Sequence, residues 1–132
     1  MSFVERHGLH EEAQRAEVLR RIEAEGIGVL RLVFPDQHGI LRGKTVVAAD
    51  AARALRDGVT MTTTLLLKDT SHRTVFPVWS AGGGLGLKEL EGAADCVLIP
   101  DPATFRVLPW APHTGWMLCG AHFPDGRPVP FD

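Results

Sequence analysis

Residues 94–110 constrain this chain more than any other stretch, because they join two short apolar segments through a corner that can bend in few ways. Cys96-Val97-Leu98-Ile99 is apolar and β-branched, the composition of a strand buried on both faces. Pro100-Asp101-Pro102 stops it: each proline fixes φ near about −65° and lacks an amide donor, while Asp101 bonds amides two residues on. Residues 104–108 restart as an alternating strand, with Phe105 and Val107 on one face and Thr104, Arg106 and Leu108 on the other. Pro109-Trp110 ends it with a large anchor.

Around this corner the periodicities change from helical to extended. Residues 9–25 read as an amphipathic helix: Leu9, Ala13 and Ala16 begin an apolar stripe that Val18, Leu19 and Ile22 widen. Glu11 and Glu12 suit its positive end and Gly26 stops it. Residues 27–34 are a strand, reversed by the turn chemistry of Pro35-Asp36-Gln37-His38-Gly39, and 40–48 return. Arg42, Gly43 and Lys44 break the apolar character of that return, the mark of a bulge or of an edge facing something anionic. Residues 50–56 predict a short helix capped by Asp50 and closed by Gly58.

Residues 59–67 are rich in β-branched side chains and predict a strand, followed by a polar loop over 68–73. Pro77 leaves 75–79 at most an edge segment, 80–86 a flexible glycine loop, and 87–91 one helical turn. A last strand over 114–123, a tight turn over 124–127 and a tail over 128–132 complete the chain. One mixed sheet with helices packed on a face follows, an α+β domain.

Bulk properties narrow the partners. A chain of 132 residues holds one domain core. Fourteen Lys and Arg against 16 Asp and Glu give a formal net charge of −2, which supplies no attraction to nucleic acid or an anionic membrane. No apolar run approaches the roughly 20 residues that span a bilayer. The N-terminus lacks a basic segment followed by an apolar one, and two cysteines make no disulfide framework; the chain reads as cytoplasmic with both thiols reduced.

Several constellations fail on chemical grounds. Gly82-Gly83-Gly84-Leu85-Gly86-Leu87-Lys88 lacks the Gly-Lys-Ser/Thr order of a phosphate loop and has Glu89 after its lysine. Cys119 and His122 are one suitably spaced pair where structural zinc takes four ligands. No Gly-x-Ser-x-Gly elbow occurs, and Asp36, Asp101 and Asp125 sit beside Pro or near Gly as turn formers. The densest loop is Lys68-Asp69-Thr70-Ser71-His72-Arg73, where a carboxylate, two hydroxyls, an imidazole and two cations suit contact with a charged ligand.

Two blocks carry a resemblance. Asp95, the apolar run, Pro100-Asp101-Pro102-x-Thr104, a strand and Pro109-Trp110 resemble the signature late in the N-terminal β-grasp domain of glutamine synthetases. The similarity is greatest to the glutamine-synthetase-like γ-glutamyl-amide ligases. Residues 29–46, with Asp36-x-x-Gly39 before Arg42-Gly43-Lys44, resemble the opening hairpin of that domain, and the likeness runs from about residue 28 to the end.

The resemblance implies a β-grasp fold over 27–132 after a helical segment over 1–26, and a place in an ATP-dependent glutamate–amine ligase. ATP with Mg²⁺ or Mn²⁺ would act in the full-length protein, whose C-terminal catalytic domain is the implied partner together with neighbouring subunits of a homo-oligomeric ring. The chain is then expected to be inactive alone. The family's ammonium-binding Asp-Gly-Ser-Ser motif, laid from Gly58, falls on Thr62-Thr63-Thr64-Leu65, so the aspartate is missing. Threonine brings no negative charge to favour ammonium, which points to a larger amine or to no activity. Thr62, Thr63, Thr64, Asp69, His72 and Arg73 are the substrate-facing candidates, with Asp69 a stand-in for the lost carboxylate. The alternative is a stand-alone interaction module that uses its sheet edge and the 68–86 loops.

Overall fold

In the computed structural model, which describes residues 1–130 and 132, strand β6 (Ala111–His122) is the axis of the sheet. Gly115, Met117, Cys119 and Ala121 alternate inward along it. Its first half pairs in parallel with β1 (Val29–Pro35), which pairs antiparallel with β2 (Leu41–Val47) at the free edge. Its other edge takes two strands in succession: β4 (Asp95–Pro100) along 119–122, and β5 (Arg106–Leu108) along 111–116. Strand β3 (Val59–Thr62) closes the far side against β4, giving the order β2-β1-β6-β4-β3 with β5 beside β6.

The proline corner therefore lies against β6. Pro102–Thr104 form a single 3-10 turn. The Asp101 amide donates to the Leu118 carbonyl at 2.8 Å, and the Leu118 amide donates to Thr104 Oγ1 at 2.9 Å. Asp101 Oδ1 accepts from the Ala103 amide at 2.9 Å, and the Thr104 hydroxyl donates to the Asp101 carbonyl at 2.7 Å. Two details of the expected second strand change. Phe105 packs into the core before the ladder begins, and a register shift between Val107 and Leu108 turns Leu108 inward. Trp110 anchors nothing: it is 76% exposed in the turn before β6.

Helices α2 (Glu12–Ala24) and α3 (Ala51–Asp57) cover the inner face through Val18, Ile22, Ala51, Ala54 and Leu55, against Leu30, Leu32, Phe34 and Met117. The buried stripe of α2 runs through Val18 and Ile22 rather than Leu9 and Ala13; Leu9 lies outside the helix and Ala13 is exposed. An additional helix, α1 (Phe3–His7), is closed by a capping box between Ser2 and Glu5. Its Phe3 and Val4 pack on Val97 and Ile99, so β4 is buried on both faces as its composition predicts. Asp50 makes no capping bond to α3; it pairs with Arg53 instead.

The expected strand over 59–67 stops at Thr62, because its partner β4 starts at Asp95. The Thr63 amide takes the Ala94 carbonyl at 2.8 Å, and 63–67 coil into a 3-10 turn. The glycine loop folds into successive turns rather than an open tether. Gly84, at φ +63°, is packed so closely that a Cβ would meet Leu90 at 2.7 Å. In the tail, Val129 is buried and its amide bonds the Ala121 carbonyl at 2.9 Å; the part of that tail at Phe131 lies outside the described residues.

Candidate functional site

Asp36 builds the site by local chemistry. In the turn between β1 and β2 its Oδ1 accepts from the amides of His38 at 2.8 Å and Ile40 at 3.0 Å, which fixes the reversal. Strand β2 then brings Arg42 back alongside, and Arg42 Nε donates to Asp36 Oδ2 at 2.7 Å. Burial pushes the Asp36 carboxyl up, but Arg42 and the Ile40 and His38 amides outweigh it, leaving the group below the ordinary aspartate value. The register β1 to β2 is continuous, so Arg42 and Lys44 stand on an edge without a bulge, and the anion that Arg42 faces is Asp36.

The loop after Leu67 docks on this turn. Gln37 Nε2 and His38 Nε2 both donate to the Lys68 carbonyl, each at 3.1 Å. Lys68 and Thr74 bridge the base of the loop, and Lys68 Nζ donates to Thr74 Oγ1 at 2.7 Å. Arg42 Nη1 lies 2.6 Å from His72 Nδ1 and, as an N–H, is the donor of that contact. His72 holds φ +66° to make the contact. Asp69 Oδ1 accepts from the Ser71 amide and hydroxyl and from the Arg73 amide, and the Arg73 and Ser71 bonds hold its carboxyl below the usual range.

The turn and the loop thus gather Arg42, Lys68, Arg73, His38 and His72 at one end of the sheet. Asp36 is committed to Arg42, and Asp69 to the backbone of its own loop. The hydrogen bonds of the Asp69 carboxylate all stay within 69–73. Thr62 and Thr64 are half-buried with their hydroxyls 3.0 Å apart, whereas Thr63 is fully buried and its hydroxyl has no hydrogen-bond partner among the described residues. Of the residues singled out by sequence, His72 and Arg73 join the cationic end. Arg42, His38 and Gln37 complete it, and only the break at Arg42 in an otherwise apolar strand signalled any of them.

Among the described residues no group of three or more His, Cys, Asp or Glu is placed to hold a metal ion. Cys96 and Cys119 are both buried and unpaired; burial pushes their thiols up to about 11 and about 12. No helix among the described residues is long and apolar enough to cross a membrane.

An α+β domain of β-grasp type, with a cation-lined pair of loops at one end of its sheet, is the class these features define. No family model matches the chain. Gamma-glutamylanilide synthase of an Acinetobacter species is 37% identical over 136 residues, covering 98% of this chain and 27% of that protein. Glutamine synthetase of Mycobacterium bovis is 30% identical over 127 residues, covering 89% of this chain and 23% of that protein. A solved structure described as a GmaS/ADP complex superposes with a TM-score of 0.62 at 26% identity, over 86% of this chain and 22% of its own. The chain is a homologue of the N-terminal domain of the glutamine synthetase family, and spans about a quarter of the length of the curated relatives it matches.

Proposed function

We propose that this domain serves a glutamine-synthetase-like, ATP-dependent glutamate–amine ligase, lending its 62–73 segment to an active site shared between subunits of a ring. The observation that carries this reading is the 37% identity to gamma-glutamylanilide synthase along 98% of the chain. In the proposal, Thr62, Thr63 and Thr64 border the amine, and His72 and Arg73 face the reactants from the loop that Arg42 steadies. The buried Thr63 acts through the shape of the segment rather than by contact.

The amine is larger than ammonia. Within Thr62–Leu65 there is no carboxylate, and the one opposite Thr62 across the ladder, Asp95, belongs to β4, so the segment itself offers hydroxyls and an apolar Leu65 where the family's motif carries its aspartate. The name of the Acinetobacter relative describes an anilide product, which fits an aromatic amine here as well. ATP and Mg²⁺ or Mn²⁺ belong, in this proposal, to the catalytic domain of the full-length ligase; phosphoryl transfer draws its charge stabilisation from there. The 132 residues alone turn nothing over.

The test is phosphate release by the full-length product with ATP, glutamate and a panel running from ammonium through alkylamines to anilines. Larger amines should exceed ammonium by about tenfold or more, a difference of about 1.4 kcal/mol in barrier. Silence across the panel overturns the ligase reading. Turnover by the bare chain overturns its dependence on a partner domain.

A further inference from the structure

The outer face of the sheet, opposite α2 and α3, carries a row of side chains that the fold leaves uncovered. Strand register places Arg31 of β1, Trp116 of β6 and Arg106 of β5 directly side by side. Val33 and Leu118 continue the face, Leu41 and Trp110 rim it at 57% and 76% exposure, and together they bound an open groove of about 1140 Å³. Among the described residues, three arginines and no carboxylate line the groove. Arg21 is engaged, bonded to Glu25 at 3.0 Å and stacked 4.8 Å over Phe105. Neither Arg31 nor Arg106 has a carboxylate partner among the described residues, although the chain carries 16 Asp and Glu.

A half-buried tryptophan flanked by two arginines, with the exposed Trp110 at the rim, is the composition of the energetic centre of a protein interface, where Trp and Arg are enriched and Lys and Glu depleted. We infer that this groove docks an acidic, apolar segment of a partner polypeptide, its apolar side chains on Trp116 and Trp110 and its carboxylates on Arg31 and Arg106. Those two arginines stand two strand spacings apart, about 10 Å, which sets the separation of the carboxylates they take. A second copy of the same face is a poor occupant. A two-fold contact sets each patch on its own image, bringing arginine against arginine with nothing to neutralise them. Nucleic acid is disfavoured by the net charge of −2. The inference is independent of the ligase reading, since it rests on the sheet face and not on the 62–73 segment.

The three indole N–H signals of Trp79, Trp110 and Trp116 report it in a two-dimensional NMR titration of the whole chain. The probes are a peptide of about ten residues alternating Glu with Leu or Phe, its Gln and Lys counterparts, and a single-stranded DNA of similar charge. The Glu peptide should shift Trp110 and Trp116 but not Trp79, bind about tenfold more weakly at high salt, and outcompete the Gln peptide by a similar factor. Arg31→Glu with Arg106→Glu should exchange that preference for the Lys peptide. The two exposed substitutions leave the core intact, and unchanged dispersion of the backbone amide signals verifies the fold. Equal binding of Glu and Gln peptides, binding of DNA alone, loss of the groove in a self-associated dimer, or no shift with any probe would overturn the proposal.

Discussion

Arg42 Nε lies 2.7 Å from Asp36 Oδ2, and the two side chains are 11% and 0% exposed. The pair joins the two ends of one hairpin turn, and through Arg42 Nη1 it also reaches His72 in a loop thirty residues away. Replacing Asp36 with Asn removes the charge from three hydrogen bonds at once. We expect a loss of about 2–3 kcal/mol, read as a lower urea midpoint at unchanged slope. Because the native carboxyl lies below its ordinary value of 3.8, its contribution is present above that pH and is lost as pH falls through the native value. Asp36→Asn should therefore flatten the acid limb of the stability curve.

Thr104 should matter more than a half-buried threonine usually does. Its hydroxyl takes the Leu118 amide and gives its own proton to the Asp101 carbonyl. Thr104→Val strands a donor inside the sheet, at a cost of about 1–3 kcal/mol, while Thr104→Ser keeps both bonds. Hydrogen exchange at the Leu118 amide should accelerate in the first variant and stay slow in the second.

Gly58 and Gly92 both hold positive φ, yet their alanine variants should differ. At Gly92 a Cβ meets nothing within 4 Å, so only the backbone penalty of about 1–2 kcal/mol applies. At Gly58, with φ 72° and ψ −171°, the backbone sits in a region nearly closed to other residues, and a Cβ would lie 2.6 Å from the Leu98 carbonyl oxygen. Gly58→Ala should lower the thermal midpoint by at least twice as much as Gly92→Ala.

Cys96 and Cys119 should resist an aromatic disulfide reagent at pH 8 in the native protein and react together on unfolding, since burial lifts their thiols to about 11 and about 12. The thiols' contribution to stability is whole below the ordinary value of 9.0 and falls as pH climbs from there toward the native values. A labelling rate that tracks global unfolding is the expected result; rapid native labelling would contradict it.

The parts of this protein legible in its sequence are those whose partners lie close along the chain. Asp36, Asp101 and Asp125 read as turn formers because each bonds amides within four residues, and each does so in the fold. The strand at 96–99 declared burial on both faces by being apolar throughout, and α1 and the inner core cover its two sides. Helix α1 left little trace, since five residues carry no readable period.

Trp110 and Thr63 were decided elsewhere. Size alone suggested an anchor at Trp110, but the register shift at Leu108 gave the buried position to Leu108 and left the indole outside. β-branched composition favoured a strand through 67, but a strand needs a neighbour, and β4 offers none beyond Asp95. By itself the sequence determined where the chain turns, which runs are apolar, and which relatives it has. Only the tertiary structure decided that a turn at Asp36 and a loop at His72 meet, and that two arginines flank Trp116. Such contacts depend on strand order and register, and those are set by the whole core at once rather than by any local pattern.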